Sequence, residues 1–458
     1  MHRANSAASA TRMQPGRQAR DGAKDEQIYL VSSCTRLPWW RRLLCRLGYA
    51  DAWQFQTSSA TLLRLLGRCP HLLGSLASYI PPLIFRSGHI HTIYCTVGHF
   101  DNIDVIQYER HVIQMQADGG SLALDFTPPF DEAPLDDRPI LIIQHGLTGG
   151  SSEAYVRNVL ALACKSRAAG GYGYRACVAN FRGCANSKMT TGELYHAGRT
   201  NDVRTAVRYV RDLLPDAPIL LAGFSLGANL VSRYLGEVGT STPVRAAVLF
   251  GCPFDLYRLH LALESTFLGM LYSRRMGASM SNVVERNRDA FEKDPRGVDL
   301  EALFDKKGSL TLYQFDSIVQ VVLNGFGTTE NYYKSQSASA NLSGIRVPVL
   351  ALNALNDPIV SGTCLPTTKN PYVVLGQTQH GGHLGWFSSF TRRWIDKPAL
   401  EFLEAILSAP DVASSIRKEL GEDEAETLAP QFDTAYKVTS KGVKLSAMDA
   451  VTGIEQGL

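Results

Sequence analysis

A chain of 458 residues has room for one large α/β domain with extensions, or for two domains of average size. Its 45% hydrophobic and 19% charged residues are ordinary for a globular protein, and a net charge of +3 with scattered Lys and Arg leaves no basic footprint for nucleic acid. Nine cysteines, odd in number and without a CxxC pair, argue against a zinc site or redox motif and for reduced thiols in a reducing compartment.

Along the chain, the first twenty residues carry Arg3, Arg12, Arg17 and Arg20 and no acid. They read as a disordered basic tail with a faint transit-peptide composition. The run from Leu37 to Leu47 has aromatic, aliphatic and basic side chains at helical spacing and admits two readings. It lies in a membrane interface, with Trp39 and Trp40 at headgroup depth and Arg41, Arg42 and Arg46 toward lipid phosphates, or it docks on the protein's own core. Leu62 to Phe85 is the most apolar early stretch, but Arg64, Arg68, His71, Pro81 and Pro82 keep it short of the roughly 18 apolar residues of a membrane span. His111 to Gln116 and Leu122 to Phe126 flank Asp118-Gly119-Gly120, a hairpin signal.

Short buried-type strands are then predicted at Ile140 to Gln144, Arg175 to Asn180, Ile219 to Ala222, Val244 to Phe250, Val347 to Asn353 and Tyr372 to Leu375. Helical spacing occupies Tyr155 to Ala169, Thr200 to Leu214 and Ala228 to Leu235. Strands alternating with helices imply an α/β fold with a mostly parallel sheet covered on both faces. From Pro253 to Ser343 the alternation stops, and this insertion reads as a helical cap or lid. The division expected is an extension over 1–75, a catalytic domain over 76–410 with the cap at 253–343, and a tail over 411–458 that begins as a helix, carries the acidic Glu419 to Glu426 stretch and ends poorly ordered.

The sharpest chemical signal is Gly223-Phe224-Ser225-Leu226-Gly227, set between an apolar strand and a helical run. Gly-x-Ser-x-Gly in that context is a nucleophile elbow, a strained turn that exposes the serine Oγ at the carboxyl end of the sheet. The amide of Leu226 opens the following helix and points at the same spot. A second donor for an oxyanion is expected at Leu147, in the loop His145-Gly146-Leu147-Thr148-Gly149-Gly150 after the strand Ile140 to Gln144. The same loop could instead cradle phosphate, but neither nucleotide-binding glycine pattern is present. His145 reads as structural. The acid and base should follow the serine in that order. Asp357 stands on the loop after the strand Val347 to Asn353, and His383 in His380-Gly381-Gly382-His383-Leu384-Gly385 follows the next one, with His380 the alternative base. The histidine would take the serine proton, and Asp357 would set its tautomer.

These residues, together with Ser87-Gly88-His89-Ile90-His91-Thr92, Asn180-Phe181-Arg182-Gly183-Cys184, Tyr195-His196-Ala197-Gly198, Asn201-Asp202, Asn324-Gly325-Phe326, Tyr332-Tyr333 and Asp357-Pro358, resemble one α/β-hydrolase subfamily. It contains the fungal medium-chain fatty-acid ethyl ester synthase/esterases, bacterial hydrolases and animal lipase- or phospholipase-like members. The resemblance spans about Pro82 to Ile406 and implies an α/β-hydrolase fold with the second histidine of His-Gly-Gly-His, here His383, completing a Ser-His-Asp triad. This chain departs from the family pattern at Ile90-His91, where Leu-Gln is common, and at Asn356, often Asp. The amino-terminal membrane helix of some eukaryotic relatives is not evident. Arg182 reads either as an anion-binding residue or as a buttress for the loops, and Tyr332 and Tyr333 as lid pocket or cap core.

The expected activity is hydrolysis of carboxylic esters with short- to medium-chain acyl groups, or of lipid-derived esters such as monoacylglycerols, with acyl transfer to an alcohol as a side reaction. Apolar residues of the insertion, Phe267 and Phe326 among them, suggest an acyl-binding groove. A phospholipase-type acyl hydrolase at a membrane surface is the alternative, and a non-catalytic binding protein is disfavoured by the complete trio. No cofactor, metal or nucleic-acid partner is expected; the setting expected is intracellular, either cytoplasmic or peripheral on an intracellular membrane. Oligomeric state leaves no signal.

Overall fold

The computed structural model describes residues 28–133, 135–421 and 433–446. The basic leader, most of the acidic stretch and the extreme end of the tail, for which disorder was expected, lie outside the described residues. In chain order the strands are β1 (Tyr29–Ser32), β2 (Asp51–Ala52), β3 (Gln54–Thr57), β4 (Ser78–Tyr79), β5 (Gln107–Met115), β6 (Ser121–Thr127), β7 (Ile140–Gln144), β8 (Arg175–Asn180), β9 (Ile219–Phe224), β10 (Val244–Phe250), β11 (Val349–Ala354), β12 (Val373–Thr378) and β13 (Tyr436–Ser446). Eleven form one sheet in the order β1-β3-β12-β11-β10-β9-β7-β8-β6-β5-β13, and β2 pairs with β4 in a separate ribbon.

The central six strands, β12 through β8, run parallel. Strands β7, β8, β9 and β11 are buried at every position, which is why they read as continuous apolar runs rather than alternating ones. The chain passes from β7 outward to β8, then returns across β7 to β9, so the sheet order reverses between β7 and β9. A crevice opens at the carboxyl ends of strands at such a reversal. The register aligns these ends, with Gln144 opposite Gly223, Phe224 opposite Phe250, and Ala354 opposite Thr378. Loops leaving β7, β9, β11 and β12 therefore emerge on one edge.

Residues 28–75, expected as part of a separate extension, are built into the catalytic domain's sheet and core. Strands β1 and β3 lengthen the sheet beside β12. Helix Ala60–Leu66, capped by Ser59, buries Leu62, Leu65 and Leu66 in the main core. Trp53 is fully buried and stacks on Trp394 at 5.3 Å. Helix Trp39–Arg46 does form; none of its residues is fully buried, and it touches the main core through Cys45. At the other terminus, helix Val412–Leu420 is followed by strand β13, antiparallel to β5, where only a helix and a disordered end were expected. Its lysines and the register shifts around Gly442 are those of a protected edge strand, and they hide it from a search for alternating hydrophobics.

The insertion between β10 and β11 contains helices and no strand among the described residues. Leu259, Leu263, Tyr272 and Met276 from it pack on Ile359 and Val360 beside the β11 loop, with Leu147 against the same cluster. Leu256, Tyr332 and Tyr333 form a second cluster that touches Leu226. Phe267, expected to wall an acyl groove, is instead 77% exposed, and Phe326 stacks on Tyr332 at 4.8 Å.

A buried carboxyl sits within this insertion. Asp316 is 5% exposed and accepts a hydrogen bond from the Tyr333 hydroxyl at 2.7 Å. Burial pushes its carboxyl up to about 7, with the Tyr333 bond opposing. A raised folded-state value means that the folded protein holds a proton the unfolded chain has released. The stabilising contribution is complete below about pH 4 and is lost as pH rises through about 7. Asp316→Asn should remove that loss, worth on the order of 4 kcal/mol. Thermal melts of wild type and variant between pH 5 and 8 should diverge as pH rises, the variant becoming the more stable. Parallel Tm curves would show that Asp316 does not titrate there.

Candidate active site

The elbow is built by contact. A Cβ on Gly227 would lie 2.2 Å from the Gln144 carbonyl oxygen and 2.4 Å from that of His145, so the helix Leu226–Val238 starts in van der Waals contact with the end of β7. A Cβ on Gly223 would meet the Ala228 Cα at 2.6 Å. Between these glycines Ser225 adopts φ 51° and ψ −118°, a strained conformation for a residue with a Cβ, held by its N–H donating to the Phe250 carbonyl at 2.8 Å.

Ser225 Oγ lies 2.8 Å from His383 Nε2, and His383 Nδ1 lies 2.8 Å from Asp357 Oδ2. The second carboxylate oxygen of Asp357 accepts from the amides of Ile359 and Val360 at 2.8 and 2.9 Å. Asp357 and His383 are 4% and 3% exposed. This geometry leaves one arrangement of protons: Nδ1–H to the carboxylate, and Nε2 open to accept from the serine hydroxyl. His380 is turned away. Its Nδ1 is 2.9 Å from Asp51 Oδ1, and its amide donates to Asp51 Oδ2 at 2.7 Å, tying the loop to the short ribbon.

The loop after β7 is clamped on both sides of Leu147. The Gly146 amide donates to the Tyr155 hydroxyl at 3.0 Å, and the Thr148 amide to the Tyr195 hydroxyl at 3.2 Å. The amides of Leu147 and Leu226 have no hydrogen-bond partner among the described residues. His145 is a buried neutral strut. Its Nε2 accepts the Phe181 amide at 3.0 Å and its Nδ1 donates to the Gly146 carbonyl, while burial lowers its pKa to about 4. Arg182 is a buttress: it is 2% exposed, with its guanidinium paired to Asp202 at 2.7 and 2.9 Å and to Asp118 at 2.9 Å. Asn356 bridges the Arg86 carbonyl and the Gly382 amide, which gives the departure from Asp a structural place.

Helix Gly88–Val97 contributes what a search for triad residues passes over. Thr92 Oγ1 accepts the His383 amide at 2.9 Å and donates to the Gly88 carbonyl at 2.8 Å, and Cys95 Sγ lies 3.5 Å from the His383 carbonyl oxygen. Both ends of the His383 peptide are thus held from one helix; the signal for this was the Ser87 to Thr92 motif. Thr92, Cys95, Thr96, Tyr155, Ser225 and His383 line a pocket of about 10 Å³, with space for one water at most. A cavity of about 800 Å³ lies elsewhere, lined by Pro218, Val244 and Pro348 at the amino ends of β9, β10 and β11. It is on the wrong edge of the sheet for this chemistry. Among the described residues no His, Cys, Asp and Glu cluster has the makings of a metal site.

A family model for the alpha/beta hydrolase fold matches residues 139–384. Over 361 residues the chain is 36% identical to a protein of Saccharomyces cerevisiae named monoacylglycerol lipase, covering 69% of this chain and 78% of that one. It is 30% identical over 311 residues to human phospholipase ABHD3, covering 66% and 73%. A third relative, medium-chain fatty acid ethyl ester synthase/esterase 2 of Saccharomyces cerevisiae, is 30% identical over 285 residues, covering 58% and 62%. A strained serine elbow at the reversal of a parallel sheet and this run of similarity lead to one conclusion: the chain belongs to the α/β-hydrolase family.

Proposed function

We propose that this enzyme hydrolyses lipid-derived carboxylic esters, monoacylglycerols being the model class, through an acyl-enzyme on Ser225. The observation that carries the reading is the unbroken hydrogen-bonded line from Ser225 Oγ through His383 to Asp357, 2.8 Å at each step, beside two free amides. His383 Nε2 takes the hydroxyl proton as Oγ attacks the ester carbonyl carbon. The oxyanion forms between the amides of Leu147 and Leu226, each donor contributing about 3 kcal/mol. The same imidazolium then protonates the departing alkoxide, and a water activated by His383 releases the acid. An alcohol in place of that water gives ester exchange, so acyl transfer needs no further residue.

The lipid class rests on the relatives named above and on the apolar residues that crowd Leu147 and Leu226. A phospholipase reading draws on the human relative and on the exposed Trp39 and Trp40. The nine cysteines are free thiols, consistent with an intracellular setting, and no helix among the described residues is long and apolar enough to cross a membrane.

A fluorophosphonate probe should label the wild type and fail to label Ser225→Ala. On a panel of p-nitrophenyl esters, kcat/KM should climb from acetyl toward medium chains, because each buried methylene is worth about 0.8 kcal/mol. Labelling that survives the substitution would remove Ser225 as nucleophile. A flat chain-length profile would remove the lipid assignment.

A further inference from the structure

The helix that holds His383 has a second face. Thr92 and Cys95 turn inward to the pocket, while Ile90, Ile93 and Val97 stand 41%, 47% and 62% exposed on the outside. Their spacing of three and four residues makes one apolar stripe on the outer side of the helix whose inner side lines the Ser225 pocket.

Neighbouring elements continue it. In the turn Leu83–Arg86, just ahead of the helix, Leu83 and Ile84 project into solvent. Phe390 is exposed beside them, its carbonyl accepting the Tyr94 hydroxyl at 3.0 Å. From the cap, helix Phe267–Arg286 is pinned here by the Tyr272 hydroxyl on His89 Nδ1 at 2.9 Å, and its first turns expose Phe267, Leu268 and Leu271. Segments far apart in sequence thus converge on an apolar rim around one pocket, a larger concentration than scattered surface hydrophobics explain.

Helix Trp39–Arg46 borders the rim. Arg41 Nη1 bonds Ser78 Oγ at 2.8 Å, and the Arg86 guanidinium lies 4.6 Å above the Tyr49 ring, so this helix is fixed to the turn that carries Leu83. Trp39 is 73% exposed, and the helix bears Arg41, Arg42 and Arg46 and no acid. Exposed tryptophan beside arginine suits the headgroup layer of a bilayer, where the ring meets both water and hydrocarbon and the guanidinium meets phosphate.

We infer that this rim docks on an anionic lipid surface and presents the Ser225 pocket to esters lying within it. A protein partner seated on the same rim would seal the pocket, whereas a lipid surface supplies the substrate. In this the inference rests on the lipid-ester reading of Ser225. Docking needs only side chains outside the catalytic trio, so the two ideas separate experimentally.

The test uses the full chain with phosphatidylcholine vesicles, with and without phosphatidylserine, and the variant Leu83→Glu/Val97→Glu/Phe267→Glu, whose positions are all largely exposed. Wild type should co-sediment with the mixed vesicles and bind pure phosphatidylcholine far less. The triple variant should lose about tenfold or more of that partitioning, and hydrolyse monoacylglycerol in vesicles correspondingly more slowly. Its turnover of soluble p-nitrophenyl butyrate should stay within about twofold of wild type, which excludes misfolding. Ser225→Ala should bind vesicles as wild type does while hydrolysing neither substrate. Wild type that ignores both vesicle types, or a triple variant that binds unchanged, overturns the docking surface. Equal binding to both vesicle types overturns its anionic selectivity. Normal vesicle binding with an active Ser225→Ala overturns the catalytic reading and leaves docking in place.

Discussion

Ser225→Ala should lower kcat by about 10⁴-fold or more on any ester the enzyme accepts, with Tm moving by no more than about 2 °C. The substitution removes one hydroxyl from a half-buried turn and keeps the Cβ, so the strain at φ 51° is the same in both proteins. The contacts that hold the turn, the Ser225 amide on Phe250 and the close approach of Gly227 to the end of β7, are backbone contacts and survive. What is lost is the hydroxyl oxygen proposed to attack beside the two free amides. Residual activity should come from those amides and from binding, which still stabilise a tetrahedral intermediate formed by water. Turnover within about tenfold of wild type would mean that another nucleophile acts. Cys95, in the same pocket, is a poor candidate, because burial raises its thiol pKa and leaves little thiolate at neutral pH.

The parallel half of the sheet is legible because its signals are local. Buried strands such as Ile140–Gln144 and Arg175–Asn180 are uninterrupted apolar runs bounded by glycine or polar turns, and the observed limits coincide with those expected. Strands β1, β3 and β13 sit at the sheet's outer reaches, where water covers one face or an edge and no apolar pattern is required. The chain order of Ser225, Asp357 and His383 at strand ends is likewise visible in sequence; their hydrogen bonds are not. Still less visible is the hold of Thr92 on the His383 amide across 291 residues, since the Ser87 to Thr92 motif marks the segment but no local pattern names the distant loop that Thr92 binds. The misplacement of Phe267 has the same origin. Apolar content predicts that an insertion covers something, but only packing decides which side chains face the pocket and which, like Phe267, face outward.

The neighbouring histidines make the second large effect a contrast. His383→Ala should depress kcat about as far as Ser225→Ala, because it removes the acceptor 2.8 Å from the serine hydroxyl and leaves the buried Asp357 carboxylate with only its two amide donors. The double variant Ser225→Ala/His383→Ala should be no slower than either single one, since two members of one proton path cannot be lost twice. His380→Ala should behave differently. It frees Asp51, which is 6% exposed, from its main partner, and an unpaired buried carboxylate costs about 3 kcal/mol. That cost falls on the ribbon between β2 and β4, so it should appear as a lower Tm with kcat on p-nitrophenyl butyrate within about fivefold of wild type at temperatures where the variant is folded. A reversal, in which His380→Ala abolishes burst-phase acylation and His383→Ala spares it, would make His380 the base. The 2.8 Å contact between Ser225 and His383 would then belong to a resting arrangement that the reaction does not use.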